Sequence, residues 1–287
     1  MNLSVGGRML YLTCSSKLAT LRRLLVSSFP ESLKVCGALH HVIHNNPFGL
    51  QVLVDKWPEF SSVICRPPLE EMTDPLDPYT NTYFLFSKDP HSLHQMLHDP
   101  QTVNWKQELQ IQGCQPQLEK VLEEVSSTYG SKMHTTSNLL SMRDGIEEEE
   151  LKNCAISELQ FSTLHPDEAH YVNAAWAFGG NERSERYAKR CIQTFPTICA
   201  KKGGMGQPVA WIVSEQSSEM RMAYTDRLYR NQGMFRTMIF RLSTMLYSTG
   251  APLYGHVAAD NKSSQAAIVA AGFTLMGRWQ QWEFQPL

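Results

Sequence analysis

A chain of 287 residues with 26 basic and 28 acidic side chains, a formal net charge of -2 and no basic run interleaved with aromatics is ill suited to nucleic acid. Its 42% hydrophobic, 10% aromatic and 19% charged residues suit a folded globular protein, and no apolar stretch approaches the ~20 residues that span a bilayer. The length exceeds a usual single domain, so two domains, or one composite sheet built from two halves, are expected.

Seven scattered cysteines, Cys14, Cys36, Cys65, Cys114, Cys154, Cys191 and Cys199, include no CxxC pair, so no metal site is predicted and a reducing compartment fits best. Up to Pro30 the chain carries Arg8, Lys17, Arg22 and Arg23 and no acidic residue, a composition shared with mitochondrial transit segments. The same stretch has Leu18, Leu21, Leu24 and Leu25 at the spacing of one buried helix face. A mitochondrial location is the expectation, with cytoplasmic as the alternative.

After that first helix, Val35 to Ile43, Leu50 to Trp57, Ser61 to Cys65 and Tyr79 to Ser87 read as strands of an antiparallel meander, punctuated by Asn45-Asn46-Pro47 and Trp57-Pro58. His91 to His98 and Gln115 to Ser127 have helical spacing. The polar stretch from Tyr129 to Glu150, ending in the acidic run Glu147 to Glu150, reads as a linker, which divides the chain into 1-150 and 151-287. Beyond it the expected order is strand (Ala155 to Phe161), helices (Pro166 to Trp176, Glu182 to Phe195), then strands (Thr197 to Lys201, Val209 to Ser214, Glu219 to Tyr224). A helix (Met234 to Ser248), a strand (Leu253 to Ala258), a helix (Lys262 to Ala271) and a last strand (Phe273 to Phe284) follow.

The chemistry concentrates in this last part. Tyr229-Arg230-Asn231-Gln232-Gly233-Met234-Phe235-Arg236 lies between an apolar strand and a helix, where unpaired backbone N–H groups and the helix dipole suit a pyrophosphate and Gly233 allows close approach. One helix and one strand later comes Asn261 to Phe273, NKSSQAAIVAAGF, with a capping Asn at its start and a Gly272-Phe273 C-cap at its end.

This pair of motifs resembles the GNAT superfamily of N-acetyltransferases, whose pyrophosphate loop reads [Q/R]xxGx[G/A] and whose later helix reads NxxAxxLYxKxGF. Arg230 and Gly233 match the first pattern, with Phe235 in place of its small last residue; Asn261, Ser264, Gly272 and Phe273 match or nearly match the second. Ile268 stands where many members carry a tyrosine that protonates the leaving thiolate, so that acid is excluded. Longer stretches, among them ESLKVCGALHHVIHNNPFG (31 to 49), DPYTNTYFLFSKDP (77 to 90), NERSERYAKRCIQTFP (181 to 196) and GQPVAWIVSEQSSEMRMAYT (206 to 225), resemble the glycine N-acyltransferase family and its paralogues. Members similar to this chain begin at MLYL, so Met1 to Arg8 looks like an extension.

The resemblance implies an α+β protein with a GNAT fold in its C-terminal half; the first half, which also alternates strands and helices, is a candidate degenerate copy. It implies transfer of an acyl group from acyl-CoA, a co-substrate rather than a resident cofactor, to the amine of glycine or glutamine. It implies Glu219 in Glu219-Met220-Arg221-Met222-Ala223 as general base, since an ammonium cannot attack a thioester until it loses a proton. The superfamily's bulged strand implies a backbone oxyanion donor at Met222, Ala223 or Tyr224, and coenzyme A contacts at Arg230, Asn231, Gln232, Gly233, Met234, Phe235 and Asn261. For the acceptor's carboxylate, Arg183, Arg186, Arg190, Arg221 and Arg236 are candidates; Arg221 ranks first because alternation puts it on the face of Glu219. His40, His41, His170 and His256 read as packing or surface residues, Cys191 and Cys199 as buried thiols, and the chain as a monomer. The alternatives are a protein of this fold that keeps acyl-CoA or a partner surface without catalysis, and an acetyltransferase of protein lysines or polyamines, for which the chain outside residues 147–150 lacks a dense acidic groove.

Overall fold

The structure is a computed structural model that describes residues 9–146, 159–203 and 206–287. The acidic run, the expected division at 150/151, Cys154 and the start of the expected strand from Ala155 lie outside the described residues. The chain forms two compact units, one of the residues up to Ser137 with Arg278–Leu287, the other of Asn138–Gly277. The units thus part at 137/138 and 277/278 rather than at a single point, because residues 280–284 pair with a strand of the first unit.

The first unit runs β1 (Leu10–Tyr11), α1 (Ser15–Val26), α2 (Leu33–His44), β2 (Gln51–Val54), β3 (Ser62–Arg66), β4 (Thr82–Ser87), α3 (Pro90–Leu97), β5 (Leu109–Gly113), α4 (Glu119–Thr128) and β6 (Ser131–Arg143), which ends in the second unit. Strands β1 to β4 pair antiparallel in sequence order, β4 and β5 are parallel, and residues 280–284 lie antiparallel to β5. Leu18, Leu21 and Leu25 of α1 are buried, as their spacing predicts. The core gathers Leu53, Ile64, Tyr83, Leu85, Leu93, Ile111, Leu122, Trp282 and Phe284.

The second unit runs β7 (Leu159–Ser162), α5 (Ala169–Ala175), α6 (Glu182–Thr194), β8 (Thr197–Lys202), β9 (Pro208–Ser214), β10 (Met220–Thr225), α7 (Met234–Ser248), β11 (Leu253–Val257), α8 (Lys262–Ala270) and β12 (Thr274–Pro286), which ends in the first unit. Strands β7 to β10 pair antiparallel in order, β10 and β11 are parallel, and residues 139–143 of β6 lie antiparallel to β11. Met234, Met238, Leu242 and Leu246 recur every four residues along α7 and are all buried, each such side chain contributing about 1.5–3 kcal/mol. Helix α8 ends as its Gly-Phe pair predicts: Gly272 has φ +81°, its N–H reaches Val269 O at 2.9 Å, and Phe273 N–H reaches Ile268 O at 3.2 Å.

Both units therefore follow one order: strand, two helices, three antiparallel strands, helix, parallel strand, helix, strand. The repetition supports a duplicated fold. The copies differ where coenzyme A was expected. In the first unit β4 reaches α3 through Lys88 and Asp89, and the Asp89 carboxylate accepts from His91 N–H, so an acidic cap stands at that helix start. Its β4 pairs with β3 without a break in register from Ser62↔Ser87 to Cys65↔Phe84.

Two expectations are corrected. The segment Val35 to Ile43 is helix rather than strand: Leu33 to His40 are all buried, Lys34 and His40 included, and a run buried on every side carries no period to separate the two. The polar stretch after Tyr129 is not a linker but the 13-residue β6, whose residues 139–143 pair with β11 despite the Ser, Thr and Lys content of its first half.

Candidate active site

The site is built in the second unit around the turn joining β9 to β10. Glu215 N–H donates to Glu219 O at 3.1 Å and Ser218 N–H to Glu215 O at 2.8 Å, with Ser218 at φ +63°, the geometry of a three-residue hairpin closed by a left-handed residue. Ser214 to Glu219 are all buried. Turns usually face water, so a buried one must satisfy its polar groups internally. The Glu215 carboxylate accepts from Ser217 N–H at 3.2 Å, from Glu219 N–H at 3.3 Å and, in a short contact, from the Ser217 hydroxyl. The Tyr254 hydroxyl of β11 donates to Ser217 O at 2.7 Å, and that of Tyr187 on α6 to Gln216 Oε1 at 2.7 Å. Burial, reinforced by Cys191 and Glu215, raises the Tyr187 phenol well above its ordinary value.

Glu219 closes this turn directly before β10, one residue short of the strand expected to begin with it. Its side chain is 0% exposed, not a solvated edge carboxylate. One oxygen, Oε1, lies 2.5 Å from His256 Nδ1, and Oε2 lies 3.9 Å from Arg221 Nε. Strands β10 and β11 share the register pair Met220↔Gly255, so Glu219 and His256 flank that pair on adjacent parallel strands. A Cβ at Gly255 would come within 3.0 Å of Met220 O, which is why the strands can close here. The expected shared face of Glu219 and Arg221 is seen in their approach, but the Arg221 side chain is only 2% exposed, with its guanidinium 5.5 Å from the Trp176 ring and 5.6 Å from that of Phe178.

Beyond Arg221 the strand bulges. Arg221 pairs with Val213 and Tyr224 with Trp211, leaving Met222 and Ala223 opposite Ile212 alone, and Met222 takes φ +53°. The Tyr224 and Trp211 rings stack at 4.7 Å and fix the far side of the bulge. The loop that follows exposes Arg230, Asn231, Gln232 and Gly233, while Met234 is buried and Phe235 packs against the core. Arg230 Nε donates to Thr225 O at 2.9 Å and Gln232 Nε2 to Leu228 O at 2.9 Å; Asn231 (φ +60°) and Gly233 (φ +76°) are left-handed, Gly233 being the N-cap of α7. The start of this 15-residue helix, with Arg230 to Gly233 exposed before it and no acidic residue in its first turn, has the polarity an anion needs.

Asn261 Oδ1 accepts from Ser264 N–H at 3.0 Å and caps α8. Ile268 is core, with Met234 and Met238 in the same cluster. Arg186, Arg190 and Arg236 are exposed. Cys191 and Cys199 are buried, and burial raises both thiols, so neither is a nucleophile at neutral pH. No group of three or more His, Cys, Asp and Glu among the described residues could hold a metal ion. The sequence reading missed His256, Tyr254 and the second buried carboxylate, Glu215; the alternation of Tyr254 and His256 on one strand was the available signal.

Known proteins agree with this architecture. The family model described as aralkyl acyl-CoA:amino acid N-acyltransferase matches residues 9–196, and that of its C-terminal region residues 199–286. Human glycine N-acyltransferase is 39% identical, aligned over 97% of this chain and 100% of its own, and human glycine N-acyltransferase-like protein 2 is 39% identical over 97% and 99%. Among solved structures, a Drosophila protein superposes with a TM-score of 0.74 at 14% identity, covering 97% of this chain and 98% of that one. A tandem GNAT protein of the clavulanic acid biosynthesis pathway gives 0.51 at 12%, covering 96% and 97%; both likenesses concern the fold alone. With both family regions matched over nearly the whole length, the chain belongs to the aralkyl acyl-CoA:amino acid N-acyltransferase family.

Proposed function

We propose that this protein transfers an acyl group from acyl-CoA to the amine of a small amino acid, glycine or glutamine, releasing coenzyme A. The observation that carries the reading is the fully buried Glu219 carboxylate beside the β10 bulge, in a chain of this family. The Glu219 carboxylate drives the deprotonation that the acceptor ammonium needs before it can attack, and a backbone N–H released by the bulge at Met222 to Tyr224 meets the thioester oxygen as it becomes an oxyanion. The α7 N-terminus and the loop from Arg230 to Phe235 hold the pyrophosphate, with Asn261 keeping the start of α8 in place. Arg221 is buried under Trp176 and Phe178 and is assigned here to setting the charge beside Glu219 and the acceptor's carboxylate. With Ile268 in the core, the thiolate departs without a tyrosine acid, as a good leaving group can.

We further propose a mitochondrial site of action, supported by the basic composition before Pro30; Leu18, Leu21 and Leu25 of that stretch also pack in the first unit. Subcellular fractionation checks it. The reaction is tested by following thiol release over a panel of acyl-CoAs and amino acids. Release that requires both substrates supports the proposal; tight acyl-CoA binding without transfer to any amino acid replaces it by a binding protein of this fold.

A further inference from the structure

We infer that His256 is the group that takes the proton from the acceptor amine, and that Glu219 acts through it as a positioning residue. The inference deepens the acyl-transfer reading and rests on it.

Three observations carry it. Glu219 has no exposure, whereas the His256 side chain it touches is 13% exposed, so the imidazole is the part of the pair that an incoming amine meets. The 2.5 Å contact joins Nδ1 to a carboxylate oxygen; an ionised carboxylate only accepts, so Nδ1 is the donor, and in the neutral ring the lone pair is then on Nε2. That tautomer is the one a base needs. Finally, both partners are held rigidly: Glu219 by the Glu215–Glu219 N–H and C=O contacts of the buried turn, and His256 by β11, which pairs with β10 at Gly255 and with β6 through His256↔Leu140. Tyr254, two residues before His256 on the same strand, grips Ser217 in the same turn, so one strand fixes both ends of the carboxylate's support.

The proton balance is complete without another reactant. The ammonium gives one proton to Nε2, making an imidazolium whose charge the adjacent Glu219 carboxylate stabilises. The amine lone pair forms the C–N bond as the carbonyl π pair moves to oxygen. Collapse of that intermediate expels the thiolate with the C–S pair. The second proton leaves the nitrogen and ends on the thiolate as the coenzyme A thiol, and the imidazolium returns the first to water.

The test uses the full-length protein. His256→Asn retains a donor near the Nδ1 position but has no second ring nitrogen, so kcat should fall about 10²- to 10⁴-fold while the acyl-CoA affinity measured by calorimetry stays within threefold of wild type. Wild-type turnover in a folded His256→Asn variant overturns the inference and leaves the acyl-transfer reading intact, with Glu219 acting alone. Absence of transfer in the wild type with every substrate pair overturns both. Should His256→Asn fail to fold, the ¹⁵N chemical shifts of His256 in the wild-type protein decide: a protonated Nδ1 and an unprotonated Nε2 support the assignment, and the opposite tautomer overturns it.

Discussion

Arg221 pairs with Val213 and Tyr224 with Trp211, so β10 fits two residues, Met222 and Ala223, against one on its neighbour. This break puts Met222 in the left-handed region at φ +53°, a conformation that costs a side-chain-bearing residue about 1–2 kcal/mol and that a sheet retains only when the surroundings impose it. Its expected return is a backbone donor for the thioester oxygen. Isotope-edited infrared spectra of a bound acyl-CoA should therefore show the thioester C=O stretch lowered relative to water; an unshifted band counts against a donor there.

Gly233 is the second left-handed position with a direct chemical consequence, since α7 begins from it at φ +76°. Gly233→Val should lower acyl-CoA affinity by tenfold or more, but a β-branched residue also strains that backbone. Gly233→Asn separates the effects, because asparagine tolerates the left-handed region while still placing a side chain where phosphates approach. Calorimetry should find weakened binding in both variants. A folded Gly233→Asn protein with unchanged affinity would take this loop out of the site.

Restoring a tyrosine at Ile268 should not raise turnover. Ile268 is 6% exposed and shares a cluster with Met234, Met238 and Phe273, so Ile268→Tyr overfills a packed core and should destabilise by about 1–3 kcal/mol. Urea midpoints and the rate of thiol release read the two parts separately. A marked gain in rate would show that protonation of the thiolate limits the wild type.

The first unit contains an acid-sensitive element. Burial, with His41 and His44 close by, lowers His40 to about 3, and burial with His44 lowers His41 to about 4; the His40 ring lies 5.1 Å from that of His41 and 4.5 Å from that of His44. Both fold as neutral rings, whereas the unfolded chain binds their protons near the ordinary 6.5. The stability they contribute is thus present above about pH 6.5 and is lost as pH falls toward about 4. The urea midpoint should drop between pH 7 and pH 5, and drop less in His40→Leu. Equal pH dependence in the two proteins would remove His40 as a cause.

Much of the second unit was legible because its signals are local. The four-residue repeat of Met234, Met238 and Leu242 marks α7 to its ends, and Gly272-Phe273 fixes the end of α8 by backbone chemistry that needs no partner. The failures were of a different kind. Helix α2 is buried at eight consecutive residues, Leu33 to His40, with Lys34 and His40 among them, so no polar face marked a helical period, and β6 is polar over half its length although strand pairing claims its end. The contact of Glu219 with His256 spans 37 positions and exists only because β10 and β11 lie side by side in parallel, which no local spacing encodes. The burial of the turn from Glu215 to Glu219 was equally hidden, since its sequence reads as an ordinary polar loop.

The claim on which the rest depends is that the buried Glu219 drives deprotonation of the acceptor. It is decided by comparing thiol release in Glu219→Gln and wild type, with the best acyl-CoA and amino acid pair, across pH 7 to 9. Glutamine preserves the shape, so acyl-CoA affinity should hold, while turnover near pH 7 should fall about 10²- to 10⁴-fold. The deficit should shrink as pH rises and the amine supplies its own deprotonated form. Equal rates at pH 7 in the variant and the wild type would contradict the assignment.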